Sequence, residues 1–246
     1  MKVGEYFLIY MLSGLAVLHV SYAEIPKLYY FDIPGKVEAI RLAATHGGFL
    51  FEDVRLNRNE FDSLKSNGTL KFGQVPVLKV AEDQYISQSA TIIRYIGKQT
   101  GLYPSNDIIA ALVDSIIDQE VDMFTGLTVS KYPDRFGFGA ITTNQKLVFS
   151  IRESVLADVI PRHLGYFETI LSKTTTMWIA NTTNPTIADF VLVPRLIAVR
   201  EFVEDEMQFD ILYSFPRLRS LIDNILTLPA VQCYYDKEKK QCFNNV

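Results

Sequence analysis

Apolar residues recur along this chain in two rhythms, and the change of rhythm divides it. Residues 26 to 31, Pro-Lys-Leu-Tyr-Tyr-Phe, are β-prone and lead into Asp32-Ile33-Pro34-Gly35, which reads as a turn. A helical pattern begins at Lys36: Val37, Ile40 and Ala44 share a face, Glu38 and Arg41 point elsewhere, and Gly47-Gly48 ends it. Phe49 to Leu56 reads as a second strand, so the chain opens β-α-β, the order of a parallel pair. Asn57 to Lys71 is a polar stretch. Val75 to Val80 reads as a strand, Ala81 to Gln84 as a turn and Tyr85 to Ser87 as the hairpin partner. Ser89 is placed to cap a helix carrying Ile92, Ile93 and Ile96. Together these predict one mixed four-stranded sheet with helices on its faces.

Gly101 to Asn106 reads as a linker, and beyond it only the helical rhythm continues. Ile108 to Phe124 forms one helix. Gln145 to Leu171 forms a long one that Pro161 should kink. Thr186-Ile187-Ala188-Asp189 reads as a capping motif before an apolar run through Val199. Pro216 and Pro229 suit the first turns of two short helices. The expected organisation is residues 24–103 as an α/β domain and residues 107–246 as an all-helical one.

The composition is globular, with 48% hydrophobic and 21% charged residues. A net charge of -4 with no uninterrupted basic run excludes a nucleic-acid footprint. The first residues differ from the rest. Lys2, an apolar stretch from Tyr6 to Val20 and then Ser21-Tyr22-Ala23 have the order of a cleavable signal peptide covering residues 1–23, cut after Ala23. The alternative is an anchor helix, but Ser13, Gly14 and His19 dilute a stretch already short for a span, so no stable membrane span is expected. Asn67-Gly68-Thr69 and Asn181-Thr182-Thr183 are glycosylation acceptors, consistent with a secreted glycoprotein. Cys233 and Cys242 are the only cysteines; one bridge or two unlinked thiols both remain open. Neither stands in a CxxC or histidine context, and the three histidines are scattered, so no metal site is expected.

Four segments in register carry a family resemblance. Leu28-Tyr29-Tyr30-Phe31 with Gly35-Lys36-Val37-Glu38-Ala39-Ile40-Arg41-Leu42 resembles the first strand and helix of the sigma-like glutathione transferases. Phe72-Gly73-Gln74-Val75-Pro76-Val77-Leu78 resembles their third-strand entry. Ser87 to Ile96 resembles their fourth strand and next helix, and Thr186 to Asp189 the capping motif of their second domain. The family includes haematopoietic-type prostaglandin D synthases and secreted worm enzymes. The resemblance implies a thioredoxin-like N-terminal domain, an all-helical C-terminal domain on the apolar-substrate side, and a homodimer. It implies glutathione as co-substrate, a small apolar electrophile as second substrate and no prosthetic group.

The same resemblance assigns residues. Tyr30 is the catalytic, thiol-activating residue. A cis Val75-Pro76 bond, Gln74, the Gln88-Ser89 pair for the γ-glutamyl end and Lys65 for the glycine carboxylate hold glutathione, and Asp118 reaches the partner subunit's ligand. Phe31 and Ile33 form one side of the apolar site. Two further glutathione-binding positions that the resemblance implies depart from the family pattern: Lys36 stands where Arg is usual, which loses the fork geometry, and Phe61 stands at the glycine end where Trp is usual, which loses an N–H donor. Asn67-Gly68 looks like a small insertion after Lys65.

The chemistry agrees with the assignment. A thiol of ordinary pKa near 8.5 is only a few per cent thiolate at neutral pH. A hydroxyl that donates to the sulfur favours the thiolate, and tyrosine remains a donor at pH 7. Tyr30 read alone is equally a core strand tyrosine, as its neighbours Tyr29 and Phe31 illustrate. A carrier of apolar ligands on the same fold, such as haem or fatty acids, is the competing reading, and a crystallin-like structural protein is a third.

Overall fold

The computed structural model describes residues 24–139 and 144–236. The expected leader, residues 1–23, and Cys242 lie outside them.

Four strands form one mixed sheet in the order β2-β1-β3-β4. They are β1 (Lys27–Phe31), β2 (Glu52–Leu56), β3 (Val77–Ala81) and β4 (Gln84–Ser87). β1 runs parallel to β2 and antiparallel to β3, and β3 and β4 form the expected hairpin. The second strand is shorter than Phe49–Leu56: the Phe49 amide instead donates to the Ala44 carbonyl and closes the end of the preceding helix.

α1 (Glu38–Gly47) follows a single 3-10 turn at Gly35–Val37 and stops at Gly48, whose φ of 70° suits glycine. α3 (Ser89–Thr100) lies with α1 on one sheet face. Leu28 and Leu78 point into that core together with Ile40, Ile92 and Ile96. The opposite face carries a smaller cluster of Leu56, Phe61, Leu70 and Val77, against which Tyr29 and Phe31 pack. The alternation of β1 therefore sends Leu28 and Tyr30 to one core and Tyr29 and Phe31 to the other.

That second cluster contains an element missed in the polar stretch from Asn57 to Lys71. α2 (Arg58–Ser66) fully buries only Phe61, with Leu64 partly buried beside it, so just one apolar pair marks its inner face. Its start was nonetheless written locally. The Asn57 side chain accepts from the Glu60 amide at 3.0 Å, and the Glu60 carboxylate accepts from the Asn57 amide at 2.7 Å. Two further expectations are corrected. Ser89 is the first residue of α3 and not its cap; Gln88 holds the position before it, with no side-chain capping bond. Glu38 and Arg41, expected off the apolar face of α1, are nonetheless buried, at 5% and 1% exposed. Both turn inward because each finds polar partners inside, described below.

The remaining described helices are α4 (Asp107–Lys131), α5 (Gln145–Ser154), α6 (Ile160–Ser172), α7 (Ile187–Met207), α8 (Pro216–Leu226) and α9 (Pro229–Tyr235). Asn106 caps α4 by accepting from the Ile108 and Ile109 amides, each at 3.1 Å. A π turn at Val155–Val159 separates α5 from α6, and Pro161 follows it in the first turn of α6. Pro216 and Pro229 occupy the first turns of α8 and α9 as expected. Asp189, fully buried, accepts from the Thr186 amide at 2.7 Å and the Thr186 hydroxyl at 3.1 Å. It also accepts from the Ile179 amide at 2.9 Å, which ties the preceding loop to the start of α7. Among the described residues no helix is long and apolar enough to cross a membrane.

Candidate functional site

Strand register places the candidate residues. Tyr29 pairs with Val77 across β1 and β3, and Ser87 pairs with Val77 across β3 and β4. The end of β1, the entry to β3 and the exit of β4 therefore meet at one edge of the sheet. Tyr30, Val75-Pro76 and Gln88-Ser89 lie at that edge. The Val75–Pro76 peptide bond is cis. The strand register of β3 begins only at Val77, so Val75 lies outside the ladders.

The turn after β1 closes onto the Tyr30 hydroxyl. Its oxygen accepts from the Lys36 amide at 3.3 Å. Gly35, at φ 47°, allows this approach: a Cβ on Gly35 would stand 2.6 Å from the Tyr30 oxygen. With the oxygen's acceptor side engaged by a backbone N–H, the phenolic proton is free to donate. Accepting that bond also polarises the O–H and makes it a stronger donor.

Gln88 is held at φ 73° and ψ 123°, a backbone state that a side chain rarely adopts. It sits at the start of α3, where unpaired amides favour an anion. The Lys65 stem lies over Gly73, whose added Cβ would be 3.3 Å from Lys65 Cε, so the end of α2 stands next to the Gln74-Val75 entry. Phe61 is buried beneath, with its ring 5.2 Å from that of Phe31 and the Arg58 guanidinium 5.3 Å away. Phe31 thus packs on the α2 side of the sheet, away from Tyr30's core, while Ile33 in the turn is 53% exposed.

A cleft runs from this edge to the helical part, lined by Gly35, Lys36, Ser89, Ile117, Glu120, Pro194 and Arg195. Sequence reasoning missed the four on the helical side, of which Glu120 and Arg195 carry charge. Glu120 and Arg195 form a largely buried ion pair at 2.5 Å, and the Arg195 guanidinium also lies 4.2 Å over the Phe124 ring. Glu120 had a visible signal: it falls on the buried face of α4 with Val113, Ile116, Met123 and Leu127. Loss of water around the Lys36 ammonium, and then the Arg195 and Arg135 guanidiniums, lower its pKa below the ordinary value; Glu120 opposes this.

Asp118 is not brought into the cleft. It faces outward on α4 and accepts from Arg94 of α3 at 3.0 Å. Asn67 and Asn181 are both exposed. The Asn67 side chain accepts from the Thr69 amide at 3.0 Å, and that of Asn181 accepts from the Thr175 amide at 2.8 Å. Cys233 in α9 is disulfide-bonded. Among the described residues no group of His, Cys, Asp or Glu side chains is placed to hold a metal ion.

Residues 26–98 match the glutathione S-transferase N-terminal domain, and residues 139–238 match the corresponding C-terminal domain. Glutathione S-transferase 1 of Ascaris suum is 31% identical over 218 residues, covering 87% of this chain and 97% of that protein. Hematopoietic prostaglandin D synthase of Gallus gallus is 29% identical over 217 residues, covering 87% of this chain and 96% of that protein. Among solved structures, the glutathione S-transferase from Ascaris lumbricoides superposes with a TM-score of 0.68 at 31% identity, covering 85% of this chain and 95% of that one. The sheet order, the helical second part and these matches agree, and the chain belongs to the glutathione S-transferase family.

Proposed function

We propose that Tyr30 activates the glutathione thiol for attack on a small apolar electrophile. As a family member the chain is a glutathione transferase, with glutathione as co-substrate. The observation that carries the role of Tyr30 is the bond from the Lys36 amide to its oxygen, which leaves the phenolic proton for a sulfur. Donation of that proton to the sulfur as a hydrogen bond stabilises the thiolate, so the thiol loses its own proton to solvent more readily. The thiolate then attacks the electrophilic centre, and the new bond to sulfur forms as the bond to the leaving group breaks. Val75 offers an unpaired strand edge to the peptide, the start of α3 at Gln88-Ser89 takes the γ-glutamyl carboxylate, and Lys65 with Gln74 takes the glycine end. The likeness to a prostaglandin D synthase supports screening a prostaglandin endoperoxide beside aromatic electrophiles and lipid hydroperoxides.

The test is Tyr30→Phe, which removes one hydroxyl and keeps the ring. Losing a charge-assisted hydrogen bond costs about 1.5–3 kcal/mol. At roughly 1.4 kcal/mol per tenfold, turnover at pH 6.5 should fall about ten- to a hundredfold and partly return toward pH 9. The Michaelis constant for glutathione should hardly move. Tyr29→Phe is the control, because Tyr29 packs on the opposite sheet face. Wild-type turnover in Tyr30→Phe would refute the assignment. Binding of apolar ligands with no glutathione turnover in the wild type would instead favour the carrier.

The expected organisation is part of the same reading. Residues 24–103 and 107–246 form its two domains, and the bounds of the two matched family domains support that division. Removal of residues 1–23 yields a secreted chain starting at Glu24, glycosylated at Asn67 and Asn181 and bridged from Cys233 to Cys242. Sequencing the mature N-terminus tests export; a chain starting at Met1 would contradict it. Two copies form a dimer in which Asp118 completes the partner's site, supported by its outward position on α4. A fully active monomer in light scattering would contradict the dimer.

A further inference from the structure

Glu38 and Arg41 are buried charges that thiol activation does not use directly, yet they connect the last helix to the turn over Tyr30. Each oxygen of the Glu38 carboxylate accepts from one phenol of α9: Tyr234 donates to Oε2 at 3.1 Å and Tyr235 to Oε1 at 2.9 Å. Burial, and then the Glu38 charge, push both phenols above their ordinary pKa, so both remain donors. Arg41 stands 3.8 Å from Glu38. Its guanidinium donates to Asp53 at 3.1 and 3.2 Å and to the Ile33 carbonyl at 3.0 Å. Ile33 is the middle of the turn whose far end, the Lys36 amide, reaches the Tyr30 oxygen. On the other side of the turn Arg55 pairs with Asp32 and, at 3.0 Å, with Asp53.

The geometry points to α9 as a clamp. We propose that Tyr234 and Tyr235 satisfy Glu38 so that Arg41 remains on the Ile33 carbonyl, making Glu38 and Arg41 positioning residues for the Tyr30 hydroxyl. The physical reason is competition for one guanidinium. A buried carboxylate must be satisfied by donors. With two phenols bound, Glu38 leaves Arg41 at 3.8 Å; without them it draws Arg41 into direct contact and off the turn. The Lys36 amide then loses its fixed place over Tyr30. This inference rests on Tyr30 being the thiol activator.

The experiment compares Tyr30→Phe, Tyr234→Phe/Tyr235→Phe and that double variant carrying Glu38→Gln, all in the full-length protein with glutathione and an aromatic electrophile. Removing both phenolic hydroxyls should lower turnover at pH 6.5 about five- to twentyfold. It should move the pH profile of kcat/KM to higher pH and leave the glutathione Michaelis constant within about twofold. Adding Glu38→Gln removes the charge that competes for Arg41, so turnover should recover at least partly. A double variant that loses only thermal stability and keeps the wild-type pH profile overturns the clamp, and so does failure of Glu38→Gln to restore turnover. If the double variant does not accumulate, Tyr235→Phe alone should give the same shift at smaller size, and an unchanged profile there also overturns it. Silence of Tyr30→Phe would instead remove the premise, which separates the two failures.

Discussion

Gly35 lies directly against the Tyr30 hydroxyl, so closely that a methyl group on Gly35 would stand 2.6 Å from the phenolic oxygen. The residue opening the turn therefore has to be the one without a side chain.

Gly35→Ala tests that fit. Its φ of 47° already disfavours a side chain, and the methyl must displace either the ring or the Lys36 amide. Because the amide is the observed partner of the hydroxyl, turnover at pH 6.5 should fall about tenfold or more, with a smaller change in the glutathione Michaelis constant. Steady-state kinetics at pH 6.5 and pH 9 decide this, and unchanged turnover would show that the turn is looser than its contacts indicate.

Glu120 and Arg195 should behave as a unit. Each is mostly shielded from water, and removing one leaves the other as a buried unpaired charge, a loss of about 3–5 kcal/mol. Arg195→Met alone and Glu120→Met alone should therefore destabilise strongly in urea unfolding, whereas the double variant should be much closer to wild type. Additive losses would mean that the two side chains act independently.

Asp189 gives a pH signature. Burial raises its carboxyl to about 6, although backbone amides and the Thr186 hydroxyl pull the other way. A folded-state pKa above the ordinary value means that the folded chain holds this proton more tightly. The group's stabilising contribution is complete below about pH 4 and is lost as pH rises through about 6. Asp189→Ala leaves the Ile179 and Thr186 amides without their acceptor, a cost of about 3–5 kcal/mol. The stability gap between wild type and Asp189→Ala should widen as pH falls from 6 toward 4. Denaturant unfolding across that range reads it, and a gap that narrows on acidification would reverse the sign of the argument.

What could be read from the chain followed the reach of each signal. Alternation in Leu28-Tyr29-Tyr30-Phe31 and the hairpin at residues 77–87 are local signals, and those strands were legible. α2 was not, because Phe61 and Leu64 are its only large apolar residues and one such pair hardly sets a periodicity; the Asn57–Glu60 box was the stronger sign. Glu38 and Arg41 read only as charges off the apolar face, because local spacing says nothing of partners. The phenols that satisfy Glu38 come 196 and 197 positions later. Arg195 likewise meets Glu120 across 75 positions of chain. The Tyr30 assignment came from the family likeness; the residues by themselves left it as an ordinary strand tyrosine.

The attachment of α2 through Phe61 and Leu64 alone makes the candidate glutathione cradle mechanically unequal. Gln88 directly precedes α3, whose Ile92, Ile93 and Ile96 are locked in the main core. Lys65 rides on a helix held to the smaller cluster by Phe61 and the partly buried Leu64, so its local opening costs less than global unfolding. A tripeptide spanning both would bridge a stiff foldon and a soft one, and part of its binding free energy would go into holding the soft one down. Amide hydrogen exchange would record this as protection gained in residues 58–66 on adding glutathione; equal protection with and without it would mean that α2 is already as rigid as the sheet.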